Sequence, residues 1–403
     1  MRSSRCICLA GILAALAAGC AASGKAVIEQ YQDVTPTRFE GAVAAVLKDD
    51  TTARMDDAGK ELTMETFTRV KLLDRKATDC SGNSRTCRLE RAVCYLEGLL
   101  ELVSLEARTI KPDGQIIEID KDDMQDASNP SPLYPEQTLR CVTWQAKGAG
   151  PGAILEERAV MRSEKLYMFP GTNFQTLEDP VLETNYTLDA PADYRYRWKV
   201  YNLDIQPTEK KAGNRIIRTW QARQVTPLRP EPGMVAVQQV IAKLVIAPYE
   251  LPVLGKVETW EDMGNAWYGL IEDKLKATDA IKQVAARIAK NASSDTEKLR
   301  GLWEYMNDSI RYVARGKGLG GIIPLSSHVV CTKKYGDCKA VSGLIHVLAR
   351  ELGLKADPVL IGPRPDFGER DMELPAWAWP HAIARAEADG KVYWLDATGR
   401  YDS

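Results

Sequence analysis

The sequence has 403 residues, of which 45% are hydrophobic and 27% are charged, a composition typical of folded globular proteins rather than disordered or fibrous ones. At about 150 residues per domain, this length predicts two or three folded units. Lys and Arg together number 53 and Asp and Glu 55, so the chain has no basic excess with which to bind a phosphate backbone. Nucleic-acid binding is therefore excluded as a function class.

Residues 1–19 have the pattern of a signal segment. Two arginines precede an uncharged apolar stretch, residues 7–18, which is too short to span a bilayer. The run Leu-Ala-Ala-Gly-Cys that ends at Cys20 resembles the lipobox of bacterial lipoproteins, where the cysteine carries the lipid. We therefore expect an exported, periplasmic protein that is anchored to the outer membrane through Cys20, with residues 20–30 as anchor and linker. Ordinary signal cleavage without a lipid is the alternative.

Export decides how the other cysteines are interpreted. Four of them form an even set in the first half of the mature chain: Cys80, Cys87, Cys94 and Cys141. In an oxidising compartment this set predicts one or two disulfides, with three pairings open. Zinc is the competing explanation, but the sequence has 3 histidines and no C-x-x-C pair. We therefore expect no metal and no other cofactor.

Residues 31–255 are predicted to form a β-rich, sandwich-like domain. Segments rich in β-branched and aromatic residues alternate there with turn formers such as Pro112-Asp113-Gly114. The predicted strand segments are residues 66–73, 99–109, 153–160, 196–203 and 235–246.

A helical pattern begins near Glu258, and residues 256–403 are predicted to form a second, α+β domain. Thr259 with Asp262 is typical of a helix N-terminus, and Ser294 with Glu297 forms a capping-box pattern. The apolar residues that follow Glu297 are spaced for one face of a helix. The fold class of the whole chain is thus α+β, with the β-rich domain first.

Cys338 is predicted to lie in the first turn of a helix. Asp337 is the expected N-cap, and apolar residues follow at helical spacing until Gly353, which would end the helix. The free N–H groups and the dipole at a helix start favour the nucleophilic thiolate, and the same N–H groups can donate to an oxyanion. Cys338 is therefore the candidate nucleophile, whereas Cys331 has no partner motif and is predicted to be an inert thiol.

A thiolate also needs a group that carries protons. His346 lies inside the apolar segment of the same helix and is predicted to be a core or supporting residue. His328 is predicted to lie in a loop before the helix, with nothing downstream to orient it. His381 begins a short alternating strand, which makes it the preferred candidate.

The segment after His381 is predicted to form a hairpin. A turn at Asp389-Gly390 would place position 398 opposite His381, and Asp396 two residues away on the same face. This register allows a hydrogen bond between the His381 imidazole and the Asp396 carboxylate.

Three blocks of this domain resemble the bacterial transglutaminase-like superfamily of papain-like cysteine enzymes. They are Tyr-Gly-Asp-Cys-Lys around Cys338, Trp-Pro-His-Ala-Ile around His381 and Tyr-Trp-Leu-Asp-Ala-Thr-Gly around Asp396. The resemblance implies a papain-like α+β fold, with Cys338, His381 and Asp396 as the catalytic residues. Residues 107–114, 152–156 and 174–180 are similar to the domain of unknown function that precedes this catalytic domain in exported bacterial proteins.

The resulting hypothesis is acyl chemistry on protein or peptide amides of the cell envelope, through a Cys-His-Asp triad and a thioester intermediate. Water as acceptor gives a peptidase or amidase, and an amine gives a transglutaminase-type reaction; the sequence leaves both open. The alternative is a catalytically silent envelope lipoprotein that acts as a binding or scaffold module. Two departures from the family pattern favour that alternative, Ala340 in place of an acidic residue and Ile323 in place of Gln or Trp.

Relatives continue past the position of Ser403 with another β-rich segment, so a C-terminally partial sequence is also an expectation. Nothing in the sequence indicates the oligomeric state.

Overall fold

The computed structural model describes residues 23–81, 86–128, 139–314, 321–362, 364, 368, 369, 371–376 and 380–399. The predicted signal segment and Cys20 lie outside these residues. Among the helices within the described ranges, none combines the length and the hydrophobicity that crossing a bilayer requires.

An eight-stranded sheet forms the centre of the β-rich part, with the strand order β12-β13-β10-β1-β2-β8-β4-β5. Strands β1 and β10 are parallel, and the other neighbours in this sheet are antiparallel. The strands are β1 (Ala44–Met55), β2 (Leu62–Leu72), β4 (Glu101–Ile110), β5 (Ile116–Glu118), β8 (Ile154–Ser163), β10 (Val181–Pro191), β12 (Thr208–Ala212) and β13 (Arg215–Val225).

Two smaller sheets pack against the large one. The first, in the order β3-β7-β6, comprises β3 (Glu90–Leu96), β6 (Gln125–Ser128) and β7 (Leu139–Gln145). The second, in the order β11-β14-β9, comprises β9 (Thr172–Asn173), β11 (Tyr196–Tyr201) and β14 (Lys243–Pro248). Apolar side chains of each small sheet share a buried cluster with side chains of the large sheet, which gives the predicted sandwich-like layering.

Both disulfides of the described residues lie in this β-rich part. Cys94 and Cys141 are directly opposite each other on β3 and β7 and are bonded, and Cys80 is bonded to Cys87. The sequence predicted one or two disulfides and left three pairings open; the register of β3 against β7 selects one of them.

The helix α1 (Gly24–Gln30) lies within residues 20–30, the predicted anchor and linker, and its Val27 is buried against the large sheet. The structure corrects one strand prediction in this part. Residues 235–246, predicted to be one strand, contain the short helix α2 (Val237–Val240) followed by β14. Asn202 donates from Nδ2 to the carbonyl oxygens of Gln239 and Ile241, at 2.8 and 3.0 Å, and so holds this turn of the chain away from a strand ladder.

The remaining elements form the α+β part. Its helices are α3 (Trp260–Ile271), α4 (Asp279–Lys290), α5 (Asp295–Ser309), α6 (Ser327–Lys333) and α7 (Cys338–Glu351). Its strands, preceded by the pair β15 (Glu250–Leu251) and β16 (Gly255–Lys256), are β17 (Arg311–Tyr312), β18 (Tyr335–Gly336), β19 (Lys355–Ile361), β20 (His381–Ala388) and β21 (Lys391–Leu395). Short 3₁₀ turns occur at Arg75–Thr78, Lys121–Asp123 and Glu272–Lys274.

The predicted helix starts are confirmed. Thr259 and Asp262 form a reciprocal capping box at the start of α3. The Ser294 hydroxyl accepts from the backbone N–H of Glu297 at 3.2 Å at the start of α5. Each bond satisfies an N–H group that has no partner within its helix.

Helix α7 lies at the centre of the α+β part. It packs against β19 and β20 of the sheet β19-β20-β21 and against the helices α4, α5 and α6. Its residues from Cys338 to Ala349 are all buried. The helix that begins at Cys338 is therefore enclosed by other elements, and its position relative to the sheet is fixed by packing on several sides.

Candidate active site

Cys338 is the first residue of α7, as the sequence predicted. Asp337 is the N-cap, and its Oδ1 accepts a hydrogen bond from the backbone N–H of Ala340 at 3.0 Å. The helix ends at Glu351, and Gly353 follows with φ +76°, a conformation that favours glycine. The Cys338 thiol thus lies beside the free N–H groups of a helix start, and the residue is 6% exposed.

A buried ion pair fixes this helix start. Lys339 contacts Oδ2 of Asp337, and the two residues are 7% and 2% exposed. Because a buried charge without a partner is strongly destabilising, each charge holds the other in place. The sequence analysis gave no role to Lys339, although this residue ends the block Tyr-Gly-Asp-Cys-Lys.

The backbone that leads into Cys338 is also held from outside the helix. The N–H of Arg311 donates to the carbonyl of Lys334 at 2.8 Å, and the N–H of Val313 donates to that of Gly336 at 2.9 Å. A Cβ on Gly336 would come within 3.1 Å of the Cβ of Ala340. Small residues at 336 and 340 therefore suit this close approach, and Ala340, one of the two departures from the family pattern, is 1% exposed.

His381 is the first residue of β20, and its ring contacts the carboxylate of Asp396. The Nε2 to Oδ2 distance is 2.8 Å. The hairpin has the predicted register, because Ala384 pairs with Leu395 and Ala388 with Lys391 across the turn. The predicted imidazole–carboxylate hydrogen bond is thus present in the structure.

Thr398 orients Asp396 from the other side. Its backbone N–H and its hydroxyl donate to Oδ1 of Asp396 at 3.1 and 2.6 Å. Burial raises the pKa of Asp396, but the hydrogen bonds from His381 and Thr398 outweigh burial and keep its pKa below the ordinary value. The sequence reading missed Thr398, although an Asp followed two residues later by Thr is a known turn pattern in which the carboxylate accepts from the backbone.

The structure brings His381 to Cys338 as well as to Asp396. The hydrogen bond to Asp396, followed by a hydrogen bond with the Cys338 thiol, raises the pKa of His381 to about 9, against the opposing effect of burial. Because Nε2 is engaged by Asp396, Nδ1 is the ring nitrogen available to the thiol. At neutral pH the imidazole is therefore protonated.

The other two histidines lie away from this group. His346 is 4% exposed, and its Nδ1–H donates to the carbonyl of Ala356 at 2.5 Å, as expected for a core residue. His328 was predicted to lie in a loop, which is wrong: it is in α6, whose start is capped by the hydroxyl of Ser326. Its Nδ1 lies 3.2 Å from the hydroxyl of Thr278.

Cys331 is a free, buried thiol whose Sγ lies 3.7 Å from the Tyr305 hydroxyl. In the part of the chain that the structure describes, no three His, Cys, Asp or Glu side chains form a group that could hold a metal ion.

Two family descriptions match the chain. Residues 90–229 match a Domain of Unknown Function with solved-structure structure (DUF3857), and residues 282–389 match the Transglutaminase-like superfamily. The second match includes Cys338 and His381, and Asp396 lies beyond its end. A comparison with curated proteins gives no match.

Among solved structures, the chain is similar to a candidate protease from Parabacteroides distasonis. The TM-score is 0.70 at 15% identity, over 88% of this chain and 67% of that one, which shows a shared fold. An M1 zinc metallopeptidase from Deinococcus radiodurans (9% identity, 51% of this chain, 42% of that one) and leukotriene A4 hydrolase from Saccharomyces cerevisiae (10%, 50% and 29%) have TM-scores of 0.26 and 0.28. Scores at that level carry no argument about this chain.

The matched ranges agree with the order of the parts in the fold, β-rich first and α+β second. The α+β part has a transglutaminase-like fold. This chain therefore combines a DUF3857 domain with a following domain of the transglutaminase-like superfamily.

Proposed function

We propose that this chain is a cysteine-dependent enzyme that acts on protein or peptide amides, with Cys338 as nucleophile, His381 as proton carrier and Asp396 as the residue that orients the imidazole. The observation that carries the proposal is the position of His381. Its ring is hydrogen-bonded to Asp396 at 2.8 Å, and it lies near enough to the Cys338 thiol, at the start of a buried helix, for that thiol to raise the pKa of the ring. A nucleophile, a base and an orienting carboxylate in this order form the arrangement that acyl transfer requires.

The proposed reaction has two steps. The Cys338 thiolate attacks the amide carbonyl, the oxyanion accepts hydrogen bonds from N–H groups at the start of α7, and the protonated His381 gives its proton to the leaving amine. A thioester on Cys338 remains. His381 then accepts a proton from the incoming water or amine, whose attack on the thioester releases an acid or a new amide and restores the thiolate.

We also propose that the protein is exported and lipid-anchored through Cys20, so that its substrates are proteins or peptides of the cell envelope. Two disulfides within the described residues support an oxidising compartment. Metabolic labelling with a fatty-acid analogue tests the anchor. Label should be incorporated into the natural protein and be absent from Cys20→Ala, whereas equal labelling of both would contradict lipidation at this residue.

The activity is tested with the full-length mature protein and a peptide library, with and without an added primary amine, by mass spectrometry of the products. Hydrolysed peptides indicate a peptidase or amidase, and amine-extended peptides indicate a transferase. Cys338→Ala and His381→Ala should each lower product formation by at least about 1,000-fold. Cys331→Ala is the matched control, since it removes the other free thiol of the described residues and should retain activity.

The burial of Cys338 favours a second candidate function, a binding or scaffold module of the envelope without catalysis. Ala340 in place of the family's acidic residue points the same way. A thiol-reactive amide mimic separates the two candidates in the reduced protein. Labelling that depends on Cys338 and falls in His381→Ala supports the enzyme, while absence of both labelling and products supports the binding module.

A further inference from the structure

The segment between β19 and β20, residues 362–380, leaves and re-enters the sheet beside His381. Ile361, the last residue of β19, pairs with His381, the first residue of β20. Both ends of the segment therefore lie at the candidate active site. Within this segment the structure describes residues 362, 364, 368, 369, 371–376 and 380, and we refer to these residues as the His381 loop.

Asp371 ties the His381 loop to the β-rich domain. Its Oδ2 accepts hydrogen bonds from Lys199 Nζ at 2.5 Å and from the Tyr201 hydroxyl at 2.7 Å, both on β11. Its carbonyl oxygen accepts from Trp260 Nε1 at 3.3 Å. The Oδ1 atom accepts from the N–H of Glu373 at 2.9 Å within the loop. Both carboxylate oxygens are thus used, one within the loop and one across to the other domain.

The hydrogen bond from Lys199, together with that from Tyr201, lowers the pKa of Asp371 to about 2. The carboxylate is therefore ionised at neutral pH, and its hydrogen bonds are charge-assisted, which makes them stronger than neutral ones.

Gly368 supplies a second, independent contact with the same domain. A Cβ on this residue would lie 1.9 Å from Cγ of Gln239, in α2, and its φ is +68°. Only glycine allows the loop to approach Gln239 so closely in this conformation. Asn202 links the end of β11 to α2, since its Nδ2 donates to the carbonyl of Gln239 at 2.8 Å. The two elements that contact the loop, β11 at Asp371 and α2 at Gly368, are therefore linked to each other.

We propose that Asp371 is a positioning residue through which the β-rich domain holds the His381 loop, and that this domain thereby sets how a peptide substrate reaches Cys338. The part that concerns the substrate rests on the proposed function. The part that concerns the loop is independent of the proposed function, because it rests on the contacts at Gly368 and Asp371. The β-rich domain thus supports the loop that borders the candidate active site.

Hydrogen exchange tests the loop without any need for activity. In Asp371→Asn and in Lys199→Met, the backbone amides of residues 371–374 and 376 should exchange roughly tenfold faster, and the double variant should add little more, because both changes break one interaction. Glu369→Gln is the matched control, since this exposed carboxylate of the same loop makes no hydrogen bond or ion pair among the described contacts. Unchanged exchange in both single variants, or fully additive effects, would overturn the proposal.

Access to Cys338 is tested in a Cys331→Ala background, in which Cys338 is the one free cysteine among the described residues. Asp371→Asn should raise the rate at which a bulky maleimide modifies Cys338 by about tenfold. The rate with iodoacetamide should change little, because this reagent is small enough to pass the loop. Equal changes for both reagents, together with a lower melting temperature, would indicate a merely structural residue and overturn the positioning role.

Turnover then separates this inference from the proposed function. Asp371→Asn should raise KM for long peptides several-fold and leave kcat within about twofold. Faster exchange with unchanged KM would confine Asp371 to a structural role. If the natural protein forms no product at all, the proposed function fails, along with the substrate part of this inference, while exchange and access still decide whether Asp371 holds the loop.

Discussion

His381 and His346 lie in the same domain, yet their surroundings shift their pKa values in opposite directions. His346 is buried and hydrogen-bonded to the carbonyl of Ala356, and burial lowers its pKa. His381 is less buried and contacts the Asp396 carboxylate and the Cys338 thiol, which raise its pKa to about 9. A nearby negative charge favours the protonated ring of His381. Desolvation disfavours the protonated ring of His346.

An NMR titration of the histidine rings tests this assignment. We expect the His381 signal to titrate near pH 9 in the natural protein and at clearly lower pH in Asp396→Asn, because the largest cause of the shift is then removed. Asp357→Asn, which removes an exposed carboxylate from β19, is the control and should leave His381 unchanged. A natural His381 that titrates near pH 6.5 would contradict the geometry described for this ring.

The raised pKa has a consequence for stability. The folded-state pKa of about 9 lies above the ordinary value of 6.5, so protonated His381 stabilises the native state fully below pH 6.5. This contribution is lost as the pH rises through 9. The proposed activity should fall over the same alkaline range, and the fall should begin at lower pH in Asp396→Asn.

Two residues at the site show which contacts a sequence can and cannot predict. Asp337 was predicted to be the N-cap because its role depends on the three residues that follow it. Lys339 was not singled out, because whether its ammonium group is buried against Asp337 depends on the elements packed around the start of α7.

At the scale of elements, the hairpin β20–β21 sets the distance between His381 and Asp396. Asp389 and Gly390 form its turn with φ values of 47° and 73°, as a two-residue turn of the primed type requires. Asp389 also accepts hydrogen bonds from the backbone N–H and the hydroxyl of Thr296, at 3.0 and 2.6 Å. The turn is therefore attached to the start of α5.

Gly390→Val should strain this turn and destabilise the protein by about 1–2 kcal/mol, since a β-branched residue is disfavoured in the left-handed region. Turnover should fall by more than the loss of stability explains, because a shifted register moves Asp396 away from His381. Melting temperature and kcat/KM measure the two effects. Lys391→Val, at the next position on the extended strand, is the control, and an equal effect of both changes would contradict the role of the turn.

Two elements of the β-rich part depend on contacts with distant parts of the chain. Residues 24–30 have no strong helical pattern, and α1 is held by the burial of Val27 against the large sheet. Residues 235–246 were predicted to be one strand, but Asn202 donates to the carbonyl of Gln239, in α2, and to that of Ile241, directly after it. Tertiary contacts in both places outweigh local preference.

The two domains share one apolar core. The same buried cluster contains Phe174, Tyr186 and Trp220 from the β-rich domain and Leu302 and Ile345 from the α+β domain. Polar contacts also cross between them, as when Arg197 donates to the carbonyl of Glu258 at 2.8 Å. We therefore expect the domains to stabilise each other.

Thermal unfolding should show one transition, at the same temperature for tryptophan fluorescence and for circular dichroism. Trp220→Ala, at a residue that is 0% exposed, should cost about 3–5 kcal/mol and should speed hydrogen exchange in α7 of the other domain. Trp394→Ala is the control, because Trp394 is 59% exposed and its loss should change stability little. Two separate transitions, or faster exchange confined to the β-rich domain, would contradict a shared core.

The sequence by itself determined the features that depend on near neighbours. Asp337 and the apolar spacing place Cys338 at a helix start, and the two-residue turn places Asp396 on the same face as His381, because cap and turn geometry are decided within a few residues. The pairing of the cysteines, the contact of α7 with the hairpin and the bond from Lys199 to Asp371 follow instead from the tertiary fold. Such contacts join residues far apart in the chain, and their partners are selected by packing of whole elements, which leaves no local pattern to read.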